Sequence, residues 1–298
     1  MTDETEDLTR HQELDLEPHV PHSARFWNCL LGGKDYFEAD RLLAEQMMRE
    51  WPAAVDIARA SRAFLGRTVR HLAGEAGVRQ FLDLGTGLPT ADNTHEVAQR
   101  VAPDARIVYV DHDPIVLVHA RALLTSTPEG ATDYVDADLT DPAAVLTQAA
   151  RTLDLDQPVA LMLLSTIGHV TDPAAAAKLV GTYMARLAPG SYLVLCTTLD
   201  SPEVAAANVK YAASGTHPYT ASTAEEMMAM AAGLTIPPPG LGPINRWYPE
   251  GQMDPDVDQW GYVARKERRA DPRRWGLSVA YQQVAAVSFA AEDGRSAQ

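Results

Sequence analysis

The chain has 298 residues, 46% of them hydrophobic, which is enough to bury the core of one large α/β domain with extensions. Its formal net charge of -15 disfavours nucleic acid as a partner, because such a surface repels a phosphate backbone. Cys29 and Cys196 lie far apart and outside any CxxC pattern, so the sequence predicts neither a disulfide nor a zinc or other metal site.

Membrane insertion and secretion are also disfavoured. The longest apolar run, Val159 to Leu164, is far shorter than the roughly 20 residues that a membrane-spanning helix needs. The N-terminal stretch "MTDETEDLTRHQELDLE" lacks the basic start and apolar centre of a signal peptide. We therefore expect a soluble cytoplasmic protein without a membrane partner.

The N-terminal quarter of the chain reads as a lead-in followed by helices. Residues 1–20 are acidic and without period, which predicts a disordered lead-in. Residues 21–76 carry apolar side chains at helical spacing, for example Leu43 and Met47, and Gly32-Gly33 divides the helical pattern. We expect an N-terminal helical cap over 21–76.

From residue 77 onward, short strand-like runs alternate with helical ones. The strand-like runs are "RQFLDL", "RIVYVD", "TDYVDADL", "PVALMLLS" and "SYLVLC". Asp141-Pro142 and Asp172-Pro173 each place a capping acid before a proline, the arrangement that begins a helix. The alternation predicts an α/β fold with a mostly parallel sheet and helices on both faces.

The remainder of the chain completes the predicted domain. Helices are expected over 203–214 and 222–232, the second opened by a capping box of Ser222 and Glu225. "INRWY" and "WGYVARK" are expected to form a final hairpin at one edge of the sheet. The main domain is therefore assigned to 77–267, and the tail 268–298 is left unassigned.

A glycine turn follows the first predicted strand. Gly85 and Gly87 fall where ligands bind open parallel sheets, and the absence of a Cβ lets a ligand approach the backbone closely. Thr86 lies in the same turn, and the helix that begins near Asp92 points its free N–H groups at the ligand.

The chemistry around this turn disfavours a dinucleotide. The third glycine of the G-x-G-x-x-G pattern is replaced by Thr90. Asp83 precedes the turn, and a carboxylate at that position repels a pyrophosphate and attracts an ammonium group.

Acids also follow the next two strands. Asp111 ends the second strand, and its distance along the chain from Gly87 is close to the ~20-residue spacing at which a carboxylate meets ribose hydroxyls. The third strand ends in "DADL", which places Asp138 and Leu139 beside the same cleft, where a carboxylate can accept the amino proton of adenine. Taken singly, each acid could be an ordinary cap or turn residue. Together they match the amine, ribose and adenine of S-adenosylmethionine (SAM).

Longer motifs extend this interpretation to a family. "FLDLGTGLPTADNTHEVAQ", "IVYVDHDP", "DADLTDP", "SARFWNCLLGGKDYFEADR", "YTASTAEEM" and "YVARK" together resemble the bacterial SAM-dependent methyltransferases of type 19, within about residues 20–267. The resemblance implies a Rossmann-like class I methyltransferase sheet of seven strands. It also implies that the last strand is antiparallel and that the early helices cover the cofactor cleft.

Five further residues are candidates for the site. His169, in "STIGHV" after the fourth strand, is the candidate catalytic base, and its alternative is a capping or surface histidine. Ser165 either contacts the adenosine or is a core hydroxyl. Arg25 is suited to the methionine carboxylate of SAM. His112 and Asp113 follow the ribose acid; they frame the adenine through backbone contacts, or Asp113 caps the next helix.

The sequence thus favours a SAM-dependent methyltransferase acting on a small molecule, with oxygen as the preferred acceptor atom. A non-catalytic module that binds SAM or its demethylated product is the first alternative. An NAD-dependent oxidoreductase is the second.

Overall fold

The computed structural model describes residues 17–90, 92–123, 125–251 and 255–267. Most of the expected acidic lead-in and all of the tail 268–298 lie outside these ranges. In the described residues, three helices precede the first strand: α1 (Ser23–Leu30), α2 (Glu38–Glu50) and α3 (Ala53–Gly74). The helices expected over 21–76 are therefore present, with Gly32 in the turn that follows α1.

Strands and helices then alternate along the chain. The strands are β1 (Gln80–Leu84), β2 (Arg106–Asp111), β3 (Ala131–Asp136), β4 (Ala160–Leu164), β5 (Tyr192–Thr198), β6 (Gly242–Pro243) and β7 (Gln259–Arg265). The helices are α4 (Thr94–Val101), α5 (Pro114–Leu123), α6 (Pro142–Ala149), α7 (Pro173–Arg186), α8 (Pro202–Ala213) and α9 (Ala224–Met230). Single 3-10 turns cover Ile167–His169 and Ile244–Arg246.

In the described residues the strands form one seven-stranded sheet in the order β3-β2-β1-β4-β5-β7-β6. Strands β1 to β5 are parallel, and β7 is antiparallel to β5 and β6. The predicted fold is confirmed. Chain order reverses between β1 and β4, so the connections that leave their carboxyl ends run in opposite directions and open a crevice there.

The core lies on both faces of the sheet because successive strand residues point in opposite directions. Leu82 packs with residues of α6, α7 and α9 on one face. Phe81 packs with residues of α3 and α4 on the other face. The smaller cluster among α1, α2, α3 and α8 forms a third hydrophobic layer.

Capping side chains determine where several helices begin. Asp141 and Asp172 cap α6 and α7 through their side chains, as the two Asp-Pro pairs predict. The capping box of α9 is displaced by one residue from its expected position, since Thr223 and Glu226 form it instead of Ser222 and Glu225.

The predicted final hairpin is only partly correct. β7 is a full strand, but most of "INRWY" forms the 3-10 turn Ile244–Arg246 rather than a strand. The partner of β7 on that side is the two-residue strand β6. Ile244 and Trp247 are instead buried against the sheet with the α3 side chains, so their burial produces the apolar pattern that resembled a strand.

None of the described helices has the length and apolarity that crossing a membrane requires.

Candidate functional site

A cleft of about 300 Å³ lies at the carboxyl ends of the central strands, with residues of α1 and α3 on its opposite wall. The structure brings together ten of the twelve candidate site residues on its walls. They are Asp83, Gly85, Thr86, Gly87, Asp111, His112, Asp138, Leu139, Ser165 and His169. This volume is at the lower end of the range usual for small-molecule sites.

The glycine turn after β1 is bonded to the end of β2. The backbone N–H groups of Gly85 and Thr86 donate to the carbonyl of Val110, at 2.8 and 3.3 Å. The N–H of Gly87 donates to Asp111 Oδ2 at 2.8 Å. Both glycines have positive φ, 69° and 66°, which is the conformation that the pattern predicts for this turn.

The Asp111 carboxylate accepts three backbone hydrogen bonds. Besides Gly87 on Oδ2, the N–H groups of His112 and Asp113 donate to Oδ1, at 2.9 and 3.1 Å. Burial raises the pKa of Asp111, and the hydrogen bonds from Gly87 and Asp113 oppose that rise. Because a carboxylate has about four acceptor positions, about one remains for a ligand.

Asp83 is a second buried carboxylate at the cleft. It is 5% exposed, and Thr94 Oγ1 donates to its Oδ2 at 2.7 Å. Burial raises the pKa of Asp83 to about 6, against the opposing effects of the Thr94 hydrogen bond and the charge of Arg62. A cationic group in the cleft would stabilise the ionised form of this carboxylate.

Arg62 of α3 is a site residue that the sequence did not indicate. It is half-buried and lines the cleft, and one of its Nη atoms donates to the Asp92 carbonyl at 3.0 Å. Burial lowers its pKa, and the charge of Asp83 is the largest opposing influence. No local pattern marks Arg62, because it occupies an ordinary position within a long helix.

The third acid, Asp138, lies two residues beyond β3 and is largely exposed. Thr140 N–H donates to its Oδ1 at 2.8 Å. Burial alone would raise the pKa of Asp138, but the Thr140 hydrogen bonds and the nearby His112 and His217 hold it below its ordinary value.

His169 ends the 3-10 turn after β4, and its ring geometry defines its tautomer. Nδ1 lies 2.9 Å from the carbonyl oxygen of Pro218. Since a carbonyl only accepts, Nδ1 carries the proton and Nε2 of the neutral ring is an acceptor. Burial lowers the pKa of His169, which the Pro218 bond opposes, and His217, His22 and His112 lower it further. The ring is therefore neutral near pH 7.

Ser165 lines the cleft, but its hydroxyl belongs to a buried network. Gln259 Nε2 donates to Ser165 Oγ at 2.8 Å, and Cys196 Sγ lies 3.9 Å from the same oxygen. Its φ of 64° shows that the chain turns sharply at the end of β4. These contacts favour the core-hydroxyl alternative for the side chain.

Two candidate site residues, Arg25 and Asp113, are not on the cleft wall. Arg25 is 3% exposed, and its Nε donates to Oδ2 of the fully buried Asp40 at 2.7 Å. Its guanidinium also donates to the Val20 carbonyl and lies 4.9 Å from the centre of the Phe37 ring. Arg25 thus faces α2 and the preceding segment, and its predicted contact with the methionine carboxylate receives no support.

Other residues reach the cleft only through tertiary folding. His22, Trp27, Asn28 and His217 line it, and the His217 ring lies 6.2 Å from that of His22 and 6.1 Å from that of His112. His22 also pairs with Asp113, Nδ1 to Oδ2 at 2.9 Å, while Asp113 Oδ1 caps α5 through Ile115.

The sequence matches the family model described as S-adenosyl methyltransferase over residues 9–269. The chain belongs to this family. The resemblance found in the motifs is thereby confirmed, and this S-adenosyl methyltransferase is an enzyme that uses SAM as its methyl donor.

Two solved structures are similar to this chain over most of its length. A DUF574 family protein from Streptomyces avermitilis MA-4680 is 42% identical, with 84% of this chain and 99% of that chain covered and a TM-score of 0.80. A putative methyltransferase from Thermobifida fusca YX is 40% identical, with coverage of 85% and 97% and a TM-score of 0.79. No curated protein matches the chain.

The two turn glycines of the S-adenosyl methyltransferase differ in what an added Cβ would meet. At Gly85 it would lie 2.4 Å from Thr166 Cγ2, whereas at Gly87 the nearest atom is Ala24 Cβ at 3.9 Å. We expect Gly87→Ala to lower the free energy of unfolding by ~1–2 kcal/mol through its positive φ alone. Gly85→Ala should cost more because the clash is added to that strain.

Urea denaturation measures both losses. Thr166→Ser removes the clashing methyl group, so it should recover part of the loss in a Gly85→Ala background and none in a Gly87→Ala background. Equal losses for the two glycine variants would contradict the close packing of Gly85 against Thr166.

Proposed function

We propose that the enzyme transfers the methyl group of SAM to a hydroxyl group of a small-molecule acceptor. The observation that carries the proposal is the contact of His169 Nδ1 with the Pro218 carbonyl, which leaves Nε2 of this cleft-lining residue as the acceptor of the neutral ring. Hydroxyl acceptors are the class that most needs such a group, because their proton must be removed during transfer.

The polar groups of the cleft fit the parts of SAM. Asp83 and Arg62 carry opposite charges on neighbouring walls, which suits the ammonium and carboxylate of an amino acid. Asp111 has an acceptor position for a ribose hydroxyl. Asp138 and Leu139 follow β3 and His112 follows β2, and all three line the cleft, where they can bind the adenine.

In this arrangement Arg62 takes the role that the sequence suggested for Arg25. The Arg25 guanidinium is committed to Asp40 and to backbone carbonyls, whereas Arg62 lines the cleft beside Asp83. The glycine turn lets the donor approach the backbone of residues 85–87 closely.

Catalysis then depends on positioning and on one proton transfer. When bound, SAM supplies a methyl group attached to a positively charged sulfur. The cleft walls hold the acceptor oxygen in line with that methyl group. His169 Nε2 would take the hydroxyl proton as the oxygen–methyl bond forms and the methyl–sulfur bond breaks, with its electron pair going to the sulfur of the demethylated product. The Pro218 carbonyl would stabilise the resulting imidazolium through Nδ1.

A small acceptor suits the enclosure of this site. Helices α1 and α3, within the cap that we assign to residues 21–76, contribute residues to the cleft opposite the strand ends of the domain 77–267. The net charge of -15 disfavours a nucleic-acid acceptor.

Two arginine variants separate cofactor binding from stability. Arg62→Gln should weaken SAM binding by roughly ten- to a hundredfold, since a charged hydrogen bond is worth about 1.5–3 kcal/mol. Its effect on Tm should be small. Isothermal titration calorimetry and thermal denaturation measure the two quantities.

Arg25→Gln is the matched control. It leaves Asp40 buried without its cation, which costs ~3–5 kcal/mol of stability and lowers Tm. At low temperature the folded fraction should bind SAM with nearly wild-type affinity. Weak SAM binding by Arg25→Gln together with normal binding by Arg62→Gln would reverse the assignment.

His169→Gln tests the proposed base. Turnover should fall by about 10²- to 10⁴-fold with SAM affinity unchanged. For the wild type, kcat/KM should decline as pH falls through the His169 pKa, which lies below its ordinary value, because only the neutral ring accepts a proton. The variant should lack this acidic limb.

The assay follows labelled methyl transfer from SAM to compounds of a cellular metabolite extract. Unchanged turnover in His169→Gln would contradict the assignment of the base. A wild-type protein that binds SAM but transfers no label to any compound would instead support the non-catalytic alternative.

A further inference from the structure

A second pocket of about 50 Å³ lies beside the cofactor cleft. It is formed by residues of α1, α2, α3 and α8, by the 3-10 turn that carries His169 and by the end of β5. Trp27 and His169 line both this pocket and the cofactor cleft, so the two spaces meet at the proposed base. None of the predicted cofactor-binding residues lines it.

The walls of this pocket are formed mainly by aromatic and aliphatic side chains. Five aromatic side chains contribute to it, namely Phe26, Trp27, Trp51, Tyr211 and Tyr219. Among the described residues that line the pocket, none is Asp, Glu, Lys or Arg. Such a surface favours an uncharged occupant, because a charged group would lose its hydration without gaining a partner.

The aromatic walls are held in defined orientations. Phe26 and Tyr211 pack edge to face with ring centres 5.5 Å apart, and Tyr219 packs in the same way on His169 at 5.3 Å. The Tyr219 hydroxyl hydrogen-bonds Thr197 Oγ1 at 3.0 Å and Thr198 Oγ1 at 3.2 Å. Rigid aromatic walls select planar rings by edge and face contacts.

Gly168 lets Tyr219 approach the base so closely. A Cβ at this position would lie 2.5 Å from Tyr219 Cε2 and 2.8 Å from the Thr220 carbonyl oxygen. The Thr220 N–H also donates to the Gly168 carbonyl at 2.8 Å. The turn that carries His169 and the wall that carries Tyr219 are therefore one packed unit.

We propose that this pocket is the acceptor site and that it takes a compact, uncharged aromatic compound bearing a hydroxyl group. The ring lies among the aromatic side chains, and its hydroxyl extends past Trp27 toward His169 Nε2. The pocket is much smaller than the cofactor cleft, which favours a single ring over a fused ring system. This inference rests on the proposed function, since it names the substrate class for the same methyl transfer.

Helix α3 offers a matched pair of positions for testing it. Ala54 and Ala58 are both buried alanines, 3% and 0% exposed, and lie one turn apart. Ala54 lines only the aromatic pocket, and Ala58 lines only the cofactor cleft. Ala54→Leu therefore fills the aromatic pocket and leaves the cofactor cleft open, and Ala58→Leu does the reverse.

The experiment uses the full chain saturated with S-adenosylhomocysteine (SAH) and three probes. Ligand-observed NMR measures binding of phenol, of cyclohexanol as the non-planar hydroxyl control, and of benzoate as the charged control. Phenol should bind at least about tenfold more tightly than either control, a difference of ~1.4 kcal/mol. If cyclohexanol or benzoate bound as tightly as phenol, the proposed substrate class would be overturned.

The variants then locate the bound phenol. Ala54→Leu should weaken phenol binding by at least about tenfold and leave SAH affinity unchanged, whereas Ala58→Leu should weaken SAH binding. Ala54→Val, with a smaller side chain, should give an intermediate loss and serves if Ala54→Leu does not fold. Undiminished phenol binding in the folded Ala54 variants, with SAH bound, would overturn the acceptor site.

Failure of the proposed function has a different signature. If the wild type binds phenol but transfers no label from SAM to any hydroxyl compound, the O-methyl transfer fails while the pocket stands. If label passes to hydroxyl compounds and Ala54→Leu leaves their KM unchanged, the pocket assignment fails while the methyl transfer stands.

Discussion

The shape of the cofactor cleft depends on one buried carboxylate. Asp111, at the end of β2, accepts the N–H groups of Gly87, His112 and Asp113 and so joins the turn after β1 to the segment that leads into α5. The charge is costly to bury, and these backbone donors are what make its position stable. With the turn fixed, the open crevice beyond the strand ends becomes a defined binding surface.

A second buried carboxylate, Asp40, organises the wall of the cleft that the N-terminal helices form. Asp40 accepts hydrogen bonds from Arg25 Nε and from the N–H groups of His22 and Phe37, and it thereby joins α1 to α2. This fixed arrangement lets α1 supply Trp27 to both the cofactor cleft and the aromatic pocket. In our account Arg25 stabilises the arrangement of α1 and α2 that forms this wall, whereas Arg62 binds SAM.

Features that depend on neighbouring residues could be predicted from the sequence. The Asp-Pro pairs gave the starts of α6 and α7, and the glycine pattern gave the turn of positive φ, because each is a local constraint. Local pattern misassigned Ile244–Arg246, whose apolar residues pack on the sheet without pairing in it. Arg62 and His217 reach the cleft through contacts between distant segments, and no spacing in the sequence reveals such contacts.

The central claim is that Asp83 binds the ammonium group of SAM, and its raised pKa of about 6 provides the test. A cation favours the carboxylate, so binding below that pKa must release a proton. Calorimetric titration of SAM between about pH 5 and about pH 7 should show affinity falling as pH drops below 6, with proton release near pH 5. Asp83→Asn should bind weakly and without this dependence. Wild-type affinity that is independent of pH over this range, or the same dependence in Asp83→Asn, would contradict the claim.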